Sequence, residues 1–465
     1  MAEKSKTNKE ESEYDFEFVS STTLHGVYFC YVSQSKIAKF FWAILIIGMI
    51  GILFWQISIR IREYLEYATS TDISEEFVSY LPFPAVTICS FNRYFVASPN
   101  LRTLRAIHTI NQMTSSSYMA YAKNNNMKPN ISRIDGFGQN FDIKTFTNKR
   151  GFSIGGKFMP QCRFKSSDCD LNDFTTIFTT LGKCYTFNEG DYNKTQNIPG
   201  SGHGLSVTLD VRQDLYTEQP FLGNSEAGIK LQIHPQHDVP DVETFGVSVP
   251  VGTKASIEIT RSDYKLMYGP WGQCDPNREN LKYFSTYSLN NCMNECLTDM
   301  VVNECGCHLF TQYWAANFSR ECTAQDMYDC ASAYAVAMQE NLSSTDCNCS
   351  IPCTYTKYGL TISYSTYPNL PTMESLQTRM TKDKTYVQGN SIQFEIYFNS
   401  MSYSTFSQSK KVDESSLISD LGGQLGLWLG MSFITLVEIF QFLGQKAGRT
   451  SYRRVSRKVD KSVSA

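Results

Sequence analysis

Leu417 to Leu443 read LISDLGGQLGLWLGMSFITLVEIFQFL, an apolar run that nevertheless carries Asp420, Gln424 and Glu438. It also holds Gly422, Gly423, Gly426 and Gly430, with Gly444 at its edge. As a helix it is long enough to cross a bilayer core of about 30 Å. Ionisable groups inside a span are costly and face a bundle interior or a water path. Small residues permit close helix approach or an unwound stretch, and non-helical backbone at that depth survives only where it is buried in protein or lines a cavity. The run therefore reads as a pore-lining span. The plainer alternative is a lipid-facing span held by partner helices.

A second apolar run, FFWAILIIGMIGILFWQISI from Phe40 to Ile59, contains no charge. Lys36 and Lys39 precede it, and Trp42 and Trp55 stand where interfacial aromatics belong. It starts too late, behind an acidic stretch, to be a cleaved signal, and no small-residue cleavage site follows it. After Leu443 come Lys446, Arg449, Arg453, Arg454, Arg457, Lys458 and Lys461 against Asp460 alone, which puts that tail in the cytoplasm. Arg60 and Arg62 run against the same tendency. The resulting reading is a multi-pass plasma-membrane protein with both termini cytoplasmic. Its segments are 1–39 inside, 40–59 and 417–443 as spans, 60–416 outside and 444–465 inside.

Cysteines and sequons agree with this topology. Fourteen of the 15 cysteines lie between the runs, and only Cys30 lies on the reducing side. The sequons at Asn130, Asn193, Asn317, Asn341 and Asn348 fall in the same segment. An even cysteine set in an oxidising compartment implies a disulfide framework. The pairs in Cys305-Gly-Cys307-His308 and Cys347-Asn-Cys349 are spaced too closely for a structural zinc site, so no metal is expected. Ten cysteines crowd between Cys274 and Cys353. Cys292 and Cys296 fit one helical face, and Cys347, Cys349 and Cys353 can face them as an extended run, giving a stack of rungs.

Strand patterns occur at 83–89, 204–210, 227–234, 254–260 and 391–398, and helical ones at 101–122 and 321–342. The expected class is an α+β membrane protein whose large disulfide-rich ectodomain has an antiparallel β core with peripheral helices. The chain of 465 residues has a net charge of −3, which offers no basic field for nucleic acid. It lacks G-x-S-x-G, P-loop and H-E-x-x-H motifs, and Gly202-His-Gly204 reads as a turn, so an enzyme is not expected.

Several strings carry a resemblance together: Leu24-His25-Gly26, Phe83-Pro84-Ala85-Val86-Thr87-Ile88-Cys89, Glu226-Ala-Gly-Ile-Lys230 and Gly422-Gly-Gln-Leu-Gly-Leu-Trp-Leu-Gly-Met-Ser432. With the cysteine spacing they closely resemble the degenerin/epithelial sodium channel/acid-sensing channel family over residues 20–445. The resemblance implies a trimeric, amiloride-sensitive, sodium-selective channel with two transmembrane helices per subunit. The assembly would be a homotrimer or a heterotrimer with related subunits in a lipid bilayer. It implies no cofactor; Na+ is the permeant ion, and calcium permeation or block is left open. It also implies the bridges Cys89–Cys184, Cys162–Cys169, Cys274–Cys353, Cys292–Cys349, Cys296–Cys347, Cys305–Cys330 and Cys307–Cys322. The last five would brace a thumb over about residues 271–355.

By the same resemblance, His25 and Gly26 match a re-entrant motif of the lower permeation path. Gly430, Met431 and Ser432 match a belt where the second span becomes extended and offers carbonyl rings to a cation. Asp420 and Glu438 match acids above and below that belt. Ser419 matches a gate position that closes only with a small residue, with Gly423 and Leu427 as further gate residues. Tyr67 and Trp271 match an aromatic pair that couples thumb to first span.

The trigger is where the sequence departs from the acid-sensing branch. That branch carries acids where this chain has Ser332 and Val336, and histidines where it has Ala68 and Thr69. A proton switch needs groups that titrate near the working pH. Glu226, Glu243 and Asp263 remain as acids for one. The expected trigger is instead a cationic, amidated extracellular neuropeptide, with proton, constitutive or mechanical gating as alternatives. A non-conducting two-span adhesion receptor would fit the ectodomain but not the polar, glycine-rich second run.

Overall fold

The computed structural model describes residues 13–98, 100–115, 118–119, 141–190, 194–218, 223–276 and 281–463. Helices of six residues or more are α1 (13–21), α2 (Val27–Val32), α3 (Lys36–Leu65), α4 (Leu101–Thr114), α5 (Ile143–Arg150), α6 (Leu289–Cys305), α7 (Ser332–Asn341), α8 (Leu370–Met380), α9 (Lys384–Asn390), α10 (Glu414–Leu429) and α11 (Phe433–Val463). Strands of four or more are β1 (Thr69–Phe77), β2 (Ala85–Ser90), β3 (Gln161–Phe164), β4 (Phe174–Thr179), β5 (Gly182–Phe187), β6 (Leu205–Asp210), β7 (Gly228–His234), β8 (Val247–Pro250), β9 (Thr253–Lys265), β10 (Thr354–Thr366) and β11 (Ser391–Lys410). The chain divides into two units, residues 1–70 with 409–465, and residues 71–408.

In the first unit, α3 is 30 residues long, with no charge from Phe40 to Ile59 and charged residues at both ends. A helix that is apolar all round belongs in a protein core or in lipid. Here only Leu53 is buried, while Ile37, Phe40, Ile47 and Phe54 stand exposed. It is long and apolar enough to cross a membrane. The second apolar run is not one helix. α10 and α11 meet at a 70° bend, and the pair reaches the same length and hydropathy only if taken as one broken span. α11 continues past Leu443 to Val463. Gln445, Lys446 and Ala447 are good helix formers, and isolated glycines at 444 and 448 weaken a helix without ending it.

The second unit is built on two sheets. One runs β10–β9–β11–β6–β3, with β1 also against β11; the other runs β8–β7–β2–β5–β4. The expected antiparallel core is in fact mixed. β9 pairs antiparallel with β10 from Thr253↔Thr366 to Lys265↔Thr354, but parallel with β11 at Ala255↔Phe394 and Ile257↔Ile396. Alternation places Ala255, Ile257 and Ile259 of β9 inward, against Val207 and Leu209 of β6 and Phe394, Ile396 and Phe398 of β11. β2 is buried on both faces. Each large apolar side chain closed off here contributes on the order of 1.5–3 kcal/mol.

A helical lobe forms a second core around Ile107, Ile110, Met113, Val301, Phe310 and Met327. α4 starts at Asn100, whose side chain accepts from Thr103 N–H at 2.7 Å. α6 starts at Ser288, which accepts from Asn291 N–H, and ends at Gly306 with φ +70°. All seven disulfides join the partners that the resemblance implies, five of them within 274–353. Cys30 is a free thiol in α2.

Local expectations are met unevenly in this lobe. Cys347 and Cys349 sit in a turn rather than an extended run, since Asn348 takes φ +50° and Asp346 accepts from Ser343 N–H and Oγ–H. The helix expected over 321–342 is present over 324–341, capped by Thr323 and carrying a wide π-type turn at Met327–Ala331 that leads into α7. The helix expected over 101–122 ends at Thr114, and 116–117 and 120–122 lie outside the described residues.

Candidate functional site

The break between α10 and α11 falls at Gly430, Met431 and Ser432. Gly430 closes α10 with φ +66°, its N–H donating to Gly426 O at 3.0 Å. This backbone favours glycine. Space demands it as well, because a Cβ at Gly430 would overlap the His25 imidazole. His25 N–H donates in turn to Leu429 O at 3.1 Å, so the loop before α2 is pinned to the last turn of α10. Gly26 follows with φ +87°, and a Cβ there would press on Ile46 of α3 at 3.3 Å.

Beyond the break, Ser432 caps α11. Its Oγ accepts from Thr435 N–H at 3.3 Å, and its own N–H donates to Thr435 Oγ1 at 3.1 Å. Thr435 is buried and also bonds Thr23 through the two hydroxyls. Leu53, Leu429 and Met431 pack into one apolar cluster with Leu24 and Met49. The sequence-identified His25, Gly26, Gly430, Met431 and Ser432 are thus brought together. Thr23 and Thr435 complete the arrangement and were not singled out from sequence. The only signal for them was a hydroxyl placed three residues after Ser432 in an apolar run.

α10 lies along α3. Trp428 Nε1–H donates to Gln424 Oε1 at 2.9 Å and to Gln56 Oε1 at 3.2 Å. Arg60 stands 3.7 Å from Asp420 while holding Glu63 at 2.9 Å. These pairs are partly exposed, so each contributes little to stability. Arg60 nevertheless offsets part of the charge that Asp420 presents. Ser419, Gly423 and Leu427 fall on one exposed face of α10 with Gly422 and Gly426. Glu438 is half-buried on α11.

On the same unit, α1 packs on α11. Phe18 stacks on Phe442 at 4.1 Å, and Asp15 pairs with Lys446 at 2.7 Å. Tyr67 follows α3 with φ +50° and its ring near that of Tyr64. Trp271 belongs to the other unit, in a turn where Gly272 N–H donates to Tyr268 O at 3.2 Å.

In the ectodomain, Ser332 and Val336 line a cavity of about 250 Å³ with Phe310, Trp314 and Met327. Asp241 is the one charged residue in its lining among the described residues. Of the acids kept as proton-sensing candidates, Asp263 is engaged by Arg261 at 2.9 and 3.0 Å and by Thr356 at 2.8 Å. Glu226 is exposed, and Glu243 lies on the short 242–245 helix. Burial pushes the carboxyls of Asp238 and Asp210 above the usual range, against the opposing hydrogen bonds they accept. Asn317, Asn341 and Asn348 are exposed, while Asn130 and Asn193 lie outside the described residues.

Residues 18–442 match the family model described as amiloride-sensitive sodium channel. The chain belongs to that family. It is the degenerin/epithelial sodium channel/acid-sensing channel family named above, whose members are plasma-membrane ion channels. The human (Homo sapiens) bile acid-sensitive ion channel is 30% identical over 441 residues, covering 93% of this chain and 86% of that one. Human acid-sensing ion channel 2 is 30% identical over 444 residues, covering 92% and 85%. Acid-sensing ion channel 1C of Danio rerio is 31% identical over 443 residues, covering 92% and 82%. The protein is thus a cation channel of this family rather than an enzyme, and channels of this family assemble as oligomers of related subunits.

Proposed function

We propose that this chain is the subunit of a trimeric, sodium-permeable, amiloride-blocked channel with two membrane spans, opened by a small cationic, amidated extracellular peptide. The conduction part rests on one observation: the second apolar segment breaks at Gly430–Ser432, and the small residues before the break share a face that α3 leaves exposed. Around a threefold axis, that face would line a path and the non-helical residues would present carbonyl oxygens to a dehydrating cation. Ser419, Gly423 and Leu427 would close it, with Asp420 and Glu438 drawing cations to either side.

The ligand part rests on Ser332 and Val336, which leave the thumb cavity without acids at those two positions. A second reading, opening by protons, is favoured by the likeness to acid-sensing ion channels. The name of the bile acid-sensitive relative points to small extracellular ligands as a class. Whole-cell recording from cells expressing this chain alone tests the proposal, with an acid step, then amidated cationic peptides, then amiloride. A peptide-evoked, amiloride-blocked inward current is expected. An acid-evoked current with no peptide response would replace the trigger. Silence to every stimulus, with the chain at the surface, would overturn sufficiency of a single subunit type.

A further inference from the structure

We propose that Tyr14 is a phosphorylation site, modified by a tyrosine kinase that selects acidic segments and held afterwards by the basic side chains of α11. Modification there goes beyond the channel reading above and rests on it only for the cytoplasmic N-terminus, where ATP is found.

The sequence around Tyr14 suits such a kinase. Glu10, Glu11, Glu13, Asp15 and Glu17 all lie within four positions of it. The other tyrosines outside the spans on that side, Tyr28, Tyr31 and Tyr452, have no acid within four positions. Charge around the acceptor is one means by which kinases choose substrates. Tyr14 also lies in the first turn of α1, over residues 13–21. A helix that short depends on its packing and opens locally at small cost, which presents the tyrosine to an enzyme.

The surroundings of the side chain suit the product. The Tyr14 ring lies 5.3 Å from that of Phe442, its hydroxyl donates to Gln445 Oε1 at 2.5 Å, and the Arg449 guanidinium stands 4.0 Å over the ring. Phe18 stacks on the same Phe442 at 4.1 Å, so phenylalanine at 14 would serve the packing and the hydroxyl is left to explain. Arg449 is exposed and makes no ion pair among the described residues. Lys446 holds Asp15 at 2.7 Å, which offsets the nearest acid. In the transfer, the phenol oxygen bonds to the γ-phosphorus of ATP as the bond to the β-phosphate oxygen breaks. ADP leaves, and the phenolic proton passes to the base of the kinase. The product carries about −1.5 to −2 charges and three acceptor oxygens beside Arg449 and Lys446. Charge-assisted bonds to them outweigh the lost neutral bond to Gln445 and fasten α1 to the helix that follows the break at Gly430–Ser432.

The test is mass spectrometry of the full chain isolated from expressing cells treated with pervanadate, which blocks tyrosine phosphatases. Phosphate on Tyr14 is expected, with Tyr28, Tyr31 and Tyr452 unmodified. Recovery of the Tyr14 peptide only in unmodified form overturns the site, and equal labelling of all these tyrosines overturns the selection by acids. An N-terminal epitope separates the causes of failure. Where antibody reaches it only in permeabilised cells, the site alone has failed; where intact cells stain, the topology has failed and the site with it. Holding by α11 is read on phosphorylated full chain in nanodiscs, from the rate at which a soluble tyrosine phosphatase clears Tyr14. Lys446→Ala with Arg449→Ala should raise that rate roughly threefold, the value of an exposed ion pair, and equal rates overturn the docking on α11.

Discussion

At the scale of single residues, Gly430 is held by two demands at once, a left-handed backbone and the His25 ring against its Cα. Gly430→Ala therefore faces about 1–2 kcal/mol of conformational cost plus displacement of His25. Current per channel at the surface should fall severalfold or more, and wild-type current normalised to surface labelling would reject the packing as a functional constraint. Glu438→Ala should alter calcium permeation or conductance; unchanged current–voltage relations in mixed sodium and calcium would remove it from the pore. A pH effect resides at His234, where burial holds the imidazole down to about 4. It is neutral in the fold, its Nε2 2.8 Å from Thr87 Oγ1. Its unfolded value is about 6.5, so the unfolded chain takes up the proton first as pH falls. The stability it contributes is whole above 6.5 and is lost as pH drops toward 4, amounting to about 3 kcal/mol. Melting the full chain at pH 7.5 and 4.5 should show a smaller drop for His234→Asn than for wild type, and equal drops would contradict this.

At the scale of elements, the proposed gate rests on the exposed face of α10 that carries Ser419, Gly423 and Leu427. In the proposed trimer, small residues at 419 and 423 would allow three copies to approach. Ser419→Tyr should prevent that approach and give standing, amiloride-blocked current without stimulus. Silence with normal surface expression would count against this face as the gate. The elements were unevenly legible in the sequence. Strands such as β7 and β9 announced themselves, because one face of each is the more deeply buried and alternation follows. The break at 430 was marked by glycine, while the π-type turn at Met327–Ala331 left no trace, since its residues are ordinary helix formers. The 345–349 turn was hidden by its cysteines, whose pairing looks the same from a strand or a turn. Nothing in the residues after Leu443 distinguishes a continuing helix from a solvated tail.

At the scale of the whole molecule, the contact of His25 with Gly430 joins residues 405 positions apart. No periodicity reports such a contact; only the resemblance gave the two motifs related roles. The buried pair Arg93–Glu218, at 3.2 Å and almost fully enclosed, was invisible for the same reason. Glu218→Ala would leave Arg93 as a buried charge stripped of its carboxylate, though still bonded to Thr180 O and Ser115, and should cost about 3–5 kcal/mol. The measurement is retention of folded, surface-exposed protein; wild-type levels and melting would refute it. Signal transfer is the remaining whole-molecule question. Covalently, the unit holding α3 and α10 joins the ectodomain only where β1 and β11 leave it. Under the proposed function, a stimulus sensed outside would have to reach the α10 face through those two strands or through side-chain contact, the role that the resemblance gives to Tyr67 and Trp271. If the side chains carry it, Trp271→Ala should leave assembly and unitary conductance unchanged while weakening the response to stimulus roughly 5- to 150-fold, the span of ordinary coupling energies. If β1 and β11 suffice, the response curve of Trp271→Ala will overlay that of the wild type, and the aromatic pair is no part of the transmission.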